Sequence, residues 1–159
     1  PISPADTGGS LHDRLAELGP PAVLQAIDGL AAGSLMAEVQ DDALATYAHK
    51  LNKQAAAIDW QRSATELDCL IRAFNPWPLA HAGLDGKPLK IWAAQAAEGK
   101  GQPGEVLKCS KEGLLVACGE QALLLTRLQL PGGKPLAFSD LYNARRDQFA
   151  PGLLLSNGL

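Results

Sequence analysis

The chain of 159 residues sets 14 Lys and Arg against 17 Asp and Glu, a formal charge of −3, with 47% apolar, 19% charged and 5% aromatic residues. That balance excludes a disordered chain or a coiled coil and leaves few aromatic platforms for stacking single-stranded nucleic acid. A domain of this size buries roughly 70% of its unfolded surface, so one real core is expected, with room for an appendage but not for a second full domain.

No uninterrupted apolar run reaches about 18 residues, so no membrane span is expected. Residues 1–6 lack a basic segment followed by an apolar one, so no signal peptide is expected either. Cys69, Cys109 and Cys118 are odd in number and show no CxxC spacing. They point away from zinc and a disulfide framework and toward a reducing cytoplasm.

Charge is unevenly placed: residues 1–40 carry −4, residues 41–60 carry −1 and residues 61–159 carry +2. The basic C-terminal part permits a polyanionic partner without requiring one.

In chain order, Leu11, Leu15 and Leu18 fall on one helical face. Gly19-Pro20-Pro21 then predicts an interruption or kink, with a second helix starting at the prolines. Val23, Leu24, Ile27 and Leu30 give that helix an apolar stripe, and Gly33 is its stop. About 33 residues cannot close a core of their own, so this region reads as the edge of a larger domain.

Residues 34–60 lack sustained periodicity and read as an extended connector pinned by a few large apolar residues. Lys50 and Lys53 share a face there if the segment is locally helical. Ser63-Ala64-Thr65-Glu66 is a capping box opening a helix with Leu67, Leu70, Ile71 and Phe74 in its stripe. Cys69 is expected as a small core residue on it. Asn75-Pro76-Trp77-Pro78 ends the helix.

Beyond it, apolar runs near 79–83, 88–97, 105–110, 114–118, 121–130 and 135–138 alternate with turn signals. The fold class expected is α+β, mainly β: a small antiparallel OB-like barrel with a packed helix. Gly99 to Gly104 and Gly132-Gly133 are expected as hairpin turns. Ser139-Asp140 is expected to cap a last short helix carrying Leu141, Tyr142, Arg145 and Arg146. Residues 151–159 are expected to be a loose tail.

Signs of catalysis are absent. His12, His49 and His81 lie in three separate regions, no Cys has a nearby base, and no GxSxG, Walker loop or GxGxxG occurs. No catalytic, cofactor-binding or metal-ligating residue is therefore expected in this chain. Two basic groups remain, Lys50 with Lys53 and Arg145 with Arg146. Such groups hold phosphates and position a nucleic acid without reading its sequence.

Three stretches then carry a resemblance: Tyr47-Ala48-His49-Lys50-Leu51-Asn52-Lys53 with Ile58-Asp59-Trp60; Ile71-Arg72-Ala73-Phe74-Asn75-Pro76-Trp77-Pro78; and Asp140-Leu141-Tyr142-Asn143-Ala144-Arg145-Arg146-Asp147-Gln148-Phe149. With Asp6-Thr7 and Leu15 to Gly19, they resemble the C-terminal half of bacterial methionyl-tRNA formyltransferases. The resemblance implies residues 1–33 as the helical edge of a Rossmann-like catalytic domain, 34–60 as a connector and 61–159 as an OB-like barrel. Formyl transfer from 10-formyltetrahydrofolate to the methionine amine on initiator tRNA is the implied activity. Catalysis and folate binding are implied for the N-terminal catalytic domain, so this chain alone is expected to be inactive.

By motif match, Lys50, Lys53, Arg145 and Arg146 are the implied tRNA contacts. The implied setting is a cytoplasmic, monomeric translation-initiation enzyme. The chain departs from the family pattern at Gln54-Ala55-Ala56, where acidic residues are usual, and at Leu153-Leu154-Leu155, where the family end is polar or basic. Two alternatives stand beside this reading: the barrel of a sugar-nucleotide formyltransferase, and a purely structural buttress.

Overall fold

A computed structural model describes residues 1–158. A 24-residue helix, α1 (Gly8–Ala31), leads into a long exposed segment, and the rest folds as a barrel-like sheet with two short helices. α1 opens on a capping box in which the Thr7 and Ser10 side chains satisfy each other's backbone N–H. The break expected at Gly19-Pro20-Pro21 does not occur, and both prolines lie inside one continuous helix. Proline's fixed φ is itself helical, so the helix runs on through Pro20 and Pro21 with backbone hydrogen bonds forfeited there. Gly19 has no Cβ to collide with the ring that follows it.

Residues 34–55 are exposed, with one 3-10 turn at Asp42–Leu44 and a second at Gln54–Ala56. The connector becomes fixed where Ala56, Ile58 and Trp60 are buried. Helix α2 (Ala64–Ala73) has the expected capping box, with Ser63 Oγ accepting from Glu66 N–H and the Glu66 carboxylate accepting from Ser63 N–H. The paired N–H and hydroxyl of Ser63 hold the Glu66 carboxyl below its ordinary range. Ala64, Leu67 and Ile71 form the buried stripe of α2. Cys69 lies off that stripe and is exposed, contrary to its expected core position.

The strands are β1 (Ala80–Leu84), β2 (Lys87–Ala97), β3 (Val106–Ser110), β4 (Gly113–Ala117), β5 (Ala122–Gln129) and β6 (Leu136–Ala137). All pair antiparallel in the order β1-β2-β5-β4-β3, with β6 beside β5. This is the α+β, mainly antiparallel architecture expected from the spacing of the apolar runs. Asp85 and Gly86 both take positive φ in the two-residue turn joining β1 to β2. Residues 99–104 are not a hairpin turn: β2 and β3 are not neighbours, so this stretch crosses between separated strands.

Residues 151–158 are not loose. The tail pairs at Leu154 with Glu105, beside β3, and at Ser156 with Gly83 of β1. Both edges of the sheet, otherwise rows of open N–H and C=O groups, are thereby covered and the barrel closes. Leu155 is buried, and Trp60 donates from its backbone to Asn157 Oδ1 and from its indole to the Ser156 carbonyl. The run Leu153-Leu154-Leu155 serves this closure.

The last helix, α3 (Phe138–Arg145), starts two residues earlier than a Ser139 cap would place it, with Ala137 at its N-cap and no side-chain cap hydrogen bond. Packing explains the shift. Phe138 is fully buried and meets the Phe149 ring edge-on, with centroids 5.5 Å apart.

Candidate nucleic-acid interface

The connector delivers Lys53 to the outer face of β1 and β2. Asn52 Oδ1 accepts from Ala55 N–H at 2.8 Å and shapes the turn that follows Lys53. Ala57 then bridges His81 in parallel, and Ile58 N–H donates to the His81 carbonyl at 2.8 Å. Lys53 consequently lines a concave site with Pro78, Leu79, His81, Pro88 and Lys90. Among the described residues no carboxylate lines it, and Lys53 and Lys90 give it charge and donors for an anion. His81 faces Lys90 across the β1–β2 ladder.

Arg145, at the end of α3, lines a second depression with Asp85, Lys87, Leu130, Pro131 and Gln148. The two depressions share the β1–β2 hairpin: Lys90 and Pro88 serve the first, Lys87 the second. Lys50 and Arg146 are exposed and line neither. Arg146 lies 3.9 Å from the exposed Asp147 carboxylate. Lys50 does not sit on a helix with Lys53, because residues 50–52 are not helical. Of the four basic residues singled out in the sequence, Lys53 and Arg145 are thus brought to one hairpin, and Lys50 and Arg146 flank it in sequence.

Strand alternation marks Lys90 as outward, between buried Leu89 and Ile91, yet Lys90 belongs to no basic pair in the sequence. Further along β2, the register shifts on either side of Ala93, and Trp92 Nε1 donates to Gln129 Oε1 at 3.0 Å. The Arg127 guanidinium sits over the Trp92 ring, 5.6 Å from its centroid. Asn75 Nδ2 donates to the Trp92 carbonyl at 2.8 Å, so the segment closing α2 is tied to the same strand.

The N-terminal end of α1 is fastened to the barrel domain. Gly9 N–H donates to the Asn75 carbonyl at 2.9 Å, and Arg72 donates to the Asp6 carbonyl at 3.2 Å. A Cβ at Gly8 would collide with the Ala73 carbonyl, so only glycine permits this approach. The rest of α1 keeps its apolar side open: Leu15, Leu18, Val23, Leu24, Ile27 and Leu30 are all exposed.

Residues 50–146 match the model of the formyl transferase C-terminal domain. The chain belongs to that family. Among curated relatives, methionyl-tRNA formyltransferase of Pseudomonas fluorescens Pf-5 is 72% identical over 155 residues, covering 98% of this chain and 49% of the relative. The enzyme of that name from Ectopseudomonas mendocina is 70% identical with the same coverage. This chain therefore spans about half the length of the curated relatives it matches. As a formyl transferase C-terminal domain it also shares its fold with HypX from Aquifex aeolicus. One HypX variant superposes with a TM-score of 0.60 at 20% identity, covering 81% of this chain and 23% of HypX. HypX in complex with tetrahydrofolic acid superposes with a TM-score of 0.57 at 22% identity, covering 76% and 22%. Among the described residues, no helix is long and apolar enough to cross a membrane.

Proposed function

We propose that this chain is the tRNA-positioning portion of a cytoplasmic, monomeric methionyl-tRNA formyltransferase, an enzyme that formylates the methionine amine on initiator tRNA with 10-formyltetrahydrofolate. The observation that carries this reading is 72% identity sustained over 98% of the chain to a protein of that name. In this reading residues 1–33 are the helical edge of the catalytic domain, 34–60 the connector and 61–159 the barrel domain. The open apolar side of α1 supports the first assignment, because such a stripe needs an apolar partner.

Formyl transfer needs an unprotonated amine, a base and an oxyanion stabiliser within hydrogen-bond reach of one another. Those groups and the folate site belong to the part of the relatives that this chain does not span. The barrel instead contributes phosphate contacts, and binding energy gained there orients the acceptor end at the distant centre. Lys50, Lys53, Arg145 and Arg146 are the contacts proposed.

The test is a tRNA titration of the chain by fluorescence anisotropy at two salt concentrations, with Lys50→Glu/Lys53→Glu as the comparison. Affinity that falls steeply with salt, and falls further in the double variant, is expected. Salt-independent binding, or equal binding by the double variant, would leave the barrel as a structural buttress. Formylation by the chain alone would overturn the division of labour.

A further inference from the structure

The barrel domain is joined to α1 in two ways. One is the connector, whose residues 34–55 are all exposed. The other is a direct joint at the start of α1, built around Arg72. Arg72 Nε donates to Asp68 Oδ2 at 3.0 Å, one turn earlier on α2, and Nη1 reaches across to the Asp6 carbonyl at 3.2 Å. The Asp6 carboxylate accepts from both Arg14 guanidinium nitrogens, at 3.1 and 2.8 Å, and from the Ser10 hydroxyl at 3.0 Å. A line of polar contacts thus runs from the second turn of α1, through Asp6, to α2.

We infer that Arg72 is a positioning residue for formyl transfer: through Asp6 it sets the angle between α1 and the barrel, and so the place where an RNA held on the barrel presents its reacting end. The inference rests on the tRNA-positioning reading above and adds to it a rigid mount beside the connector.

Three features make the joint stiff. A second polar contact lies beside the first: Gly9 N–H, a free donor of the helix start, donates to the Asn75 carbonyl at 2.9 Å, and the Asn75 amide donates to the Trp92 carbonyl on β2 at 2.8 Å. Backbone also meets barrel directly, since a Cβ at Gly8 would strike the Ala73 carbonyl and one at Gly9 would lie 2.8 Å from Pro76 Cδ. The ion pair that aims Arg72 is sheltered. The Arg72 and Asp68 side chains are 26% and 23% exposed, against 42% and 52% for Arg62 and Glu66 at the start of the same helix. The planar guanidinium fork serves Asp68 and Asp6 at once, in one fixed geometry. At about 1.5 Å per residue α1 is about 36 Å long, so a tilt of about 5° at its base moves its far end by about 3 Å. A misplacement of about 1 Å at a reacting centre is enough to cost about a hundredfold in rate.

The experiment uses the full-length formyltransferase proposed above and compares Arg72→Met and Arg72→Lys with the control Arg62→Gln, which breaks the exposed ion pair at the start of α2 and leaves the joint untouched. Unfolding curves confirm that each folds. Arg72→Met should lower kcat about ten- to a hundredfold, with KM for tRNA and tRNA affinity within about twofold of the parent. Arg72→Lys should fall between the two, and Arg62→Gln should match the parent. In the chain described here, amide residual dipolar couplings from residues 8–16 and from the strands should fit one alignment in the parent and require two in Arg72→Met. Two alignments in the parent, or a parent-like kcat in Arg72→Met, would overturn the inference and leave the tRNA reading intact. A raised KM at unchanged kcat would place Arg72 in tRNA binding and overturn it as well. Failure of the parent enzyme to formylate tRNA would overturn the tRNA reading and the positioning role with it, whereas the couplings test the joint by itself.

Discussion

Trp60 and Asn157 tie the entry of the barrel domain to its last turn. The Trp60 backbone N–H donates to Asn157 Oδ1 at 3.0 Å, and Asn157 Nδ2 donates to Asp59 Oδ1 at 3.1 Å. One asparagine thus serves as acceptor for a buried residue and as donor to its neighbour. Asn157→Ala should cost about 1–3 kcal/mol, because Trp60 N–H is left without its partner. Urea unfolding measures this, and removal of residues 153–159 should cost far more by opening both sheet edges.

Gly104 is a tight point of the closure against backbone. Its φ is +89°, and a Cβ there would collide with the Leu155 carbonyl. Gly104→Ala should therefore destabilise by at least about 2 kcal/mol, combining left-handed strain with a displaced tail. Gly86, at φ +73° with open space around it, is the control. Gly86→Asn should stay within about 1 kcal/mol, since asparagine tolerates this conformation.

Asp6 is held by the Arg14 guanidinium, at 2.8 Å, and by the Ser3 N–H. Together they lower its carboxyl from 3.8 to about 2, the Arg14 hydrogen bond being the largest cause. A carboxyl depressed in the folded state stabilises fully above its ordinary range and loses that contribution as pH falls toward 2. Carbon-detected NMR titration should find Asp6 near 2, and Arg14→Leu should return it upward. Loosening of the N-terminal turn of α1 should accompany protonation.

The three thiols should separate by reactivity. Burial pushes Cys118 up to about 11 and also raises Cys109, whereas Cys69 is exposed beside Arg72. Alkylation at pH 8 followed by mass spectrometry should label Cys69 first and Cys118 only on unfolding.

Leu24 is 62% exposed on α1, so it stabilises little within this chain. Leu24→Gln should change the urea midpoint by less than about 0.5 kcal/mol. Amide exchange should correspondingly protect α1 weakly beyond its first turns, where the Asp6–Arg72 and Gly9–Asn75 bonds end.

Local chemistry was legible without coordinates. Ser63 and Glu66 mark the start of α2 because a capping box is written in four consecutive residues. All six strands follow from apolar runs between turn residues, and Asp85-Gly86 marks its own hairpin. The motifs around Lys50, Phe74 and Arg145 were enough to point to the family. Elsewhere distant segments decide. In isolation Cys69 reads as a core residue, but the register of Leu67 and Ile71 turns it outward. Gly19 allowed a helix to continue through two prolines that would ordinarily mark an end.

The tail and the grouping of the basic residues belong wholly to tertiary structure. Leu153-Leu154-Leu155 has no periodicity and follows Pro151-Gly152, so nothing local distinguishes a loose end from a closing strand. Its conformation is set by unpaired edges at Gly83 and Glu105, some 70 and 50 residues earlier, which no local pattern encodes. Lys53, Lys90, Lys87 and Arg145 likewise come from a connector, a strand and a helix. Composition and motifs determined which cations this protein carries; the pairing of β1 with β2 and the anchoring of Ala57 on His81 decided which of them stand together.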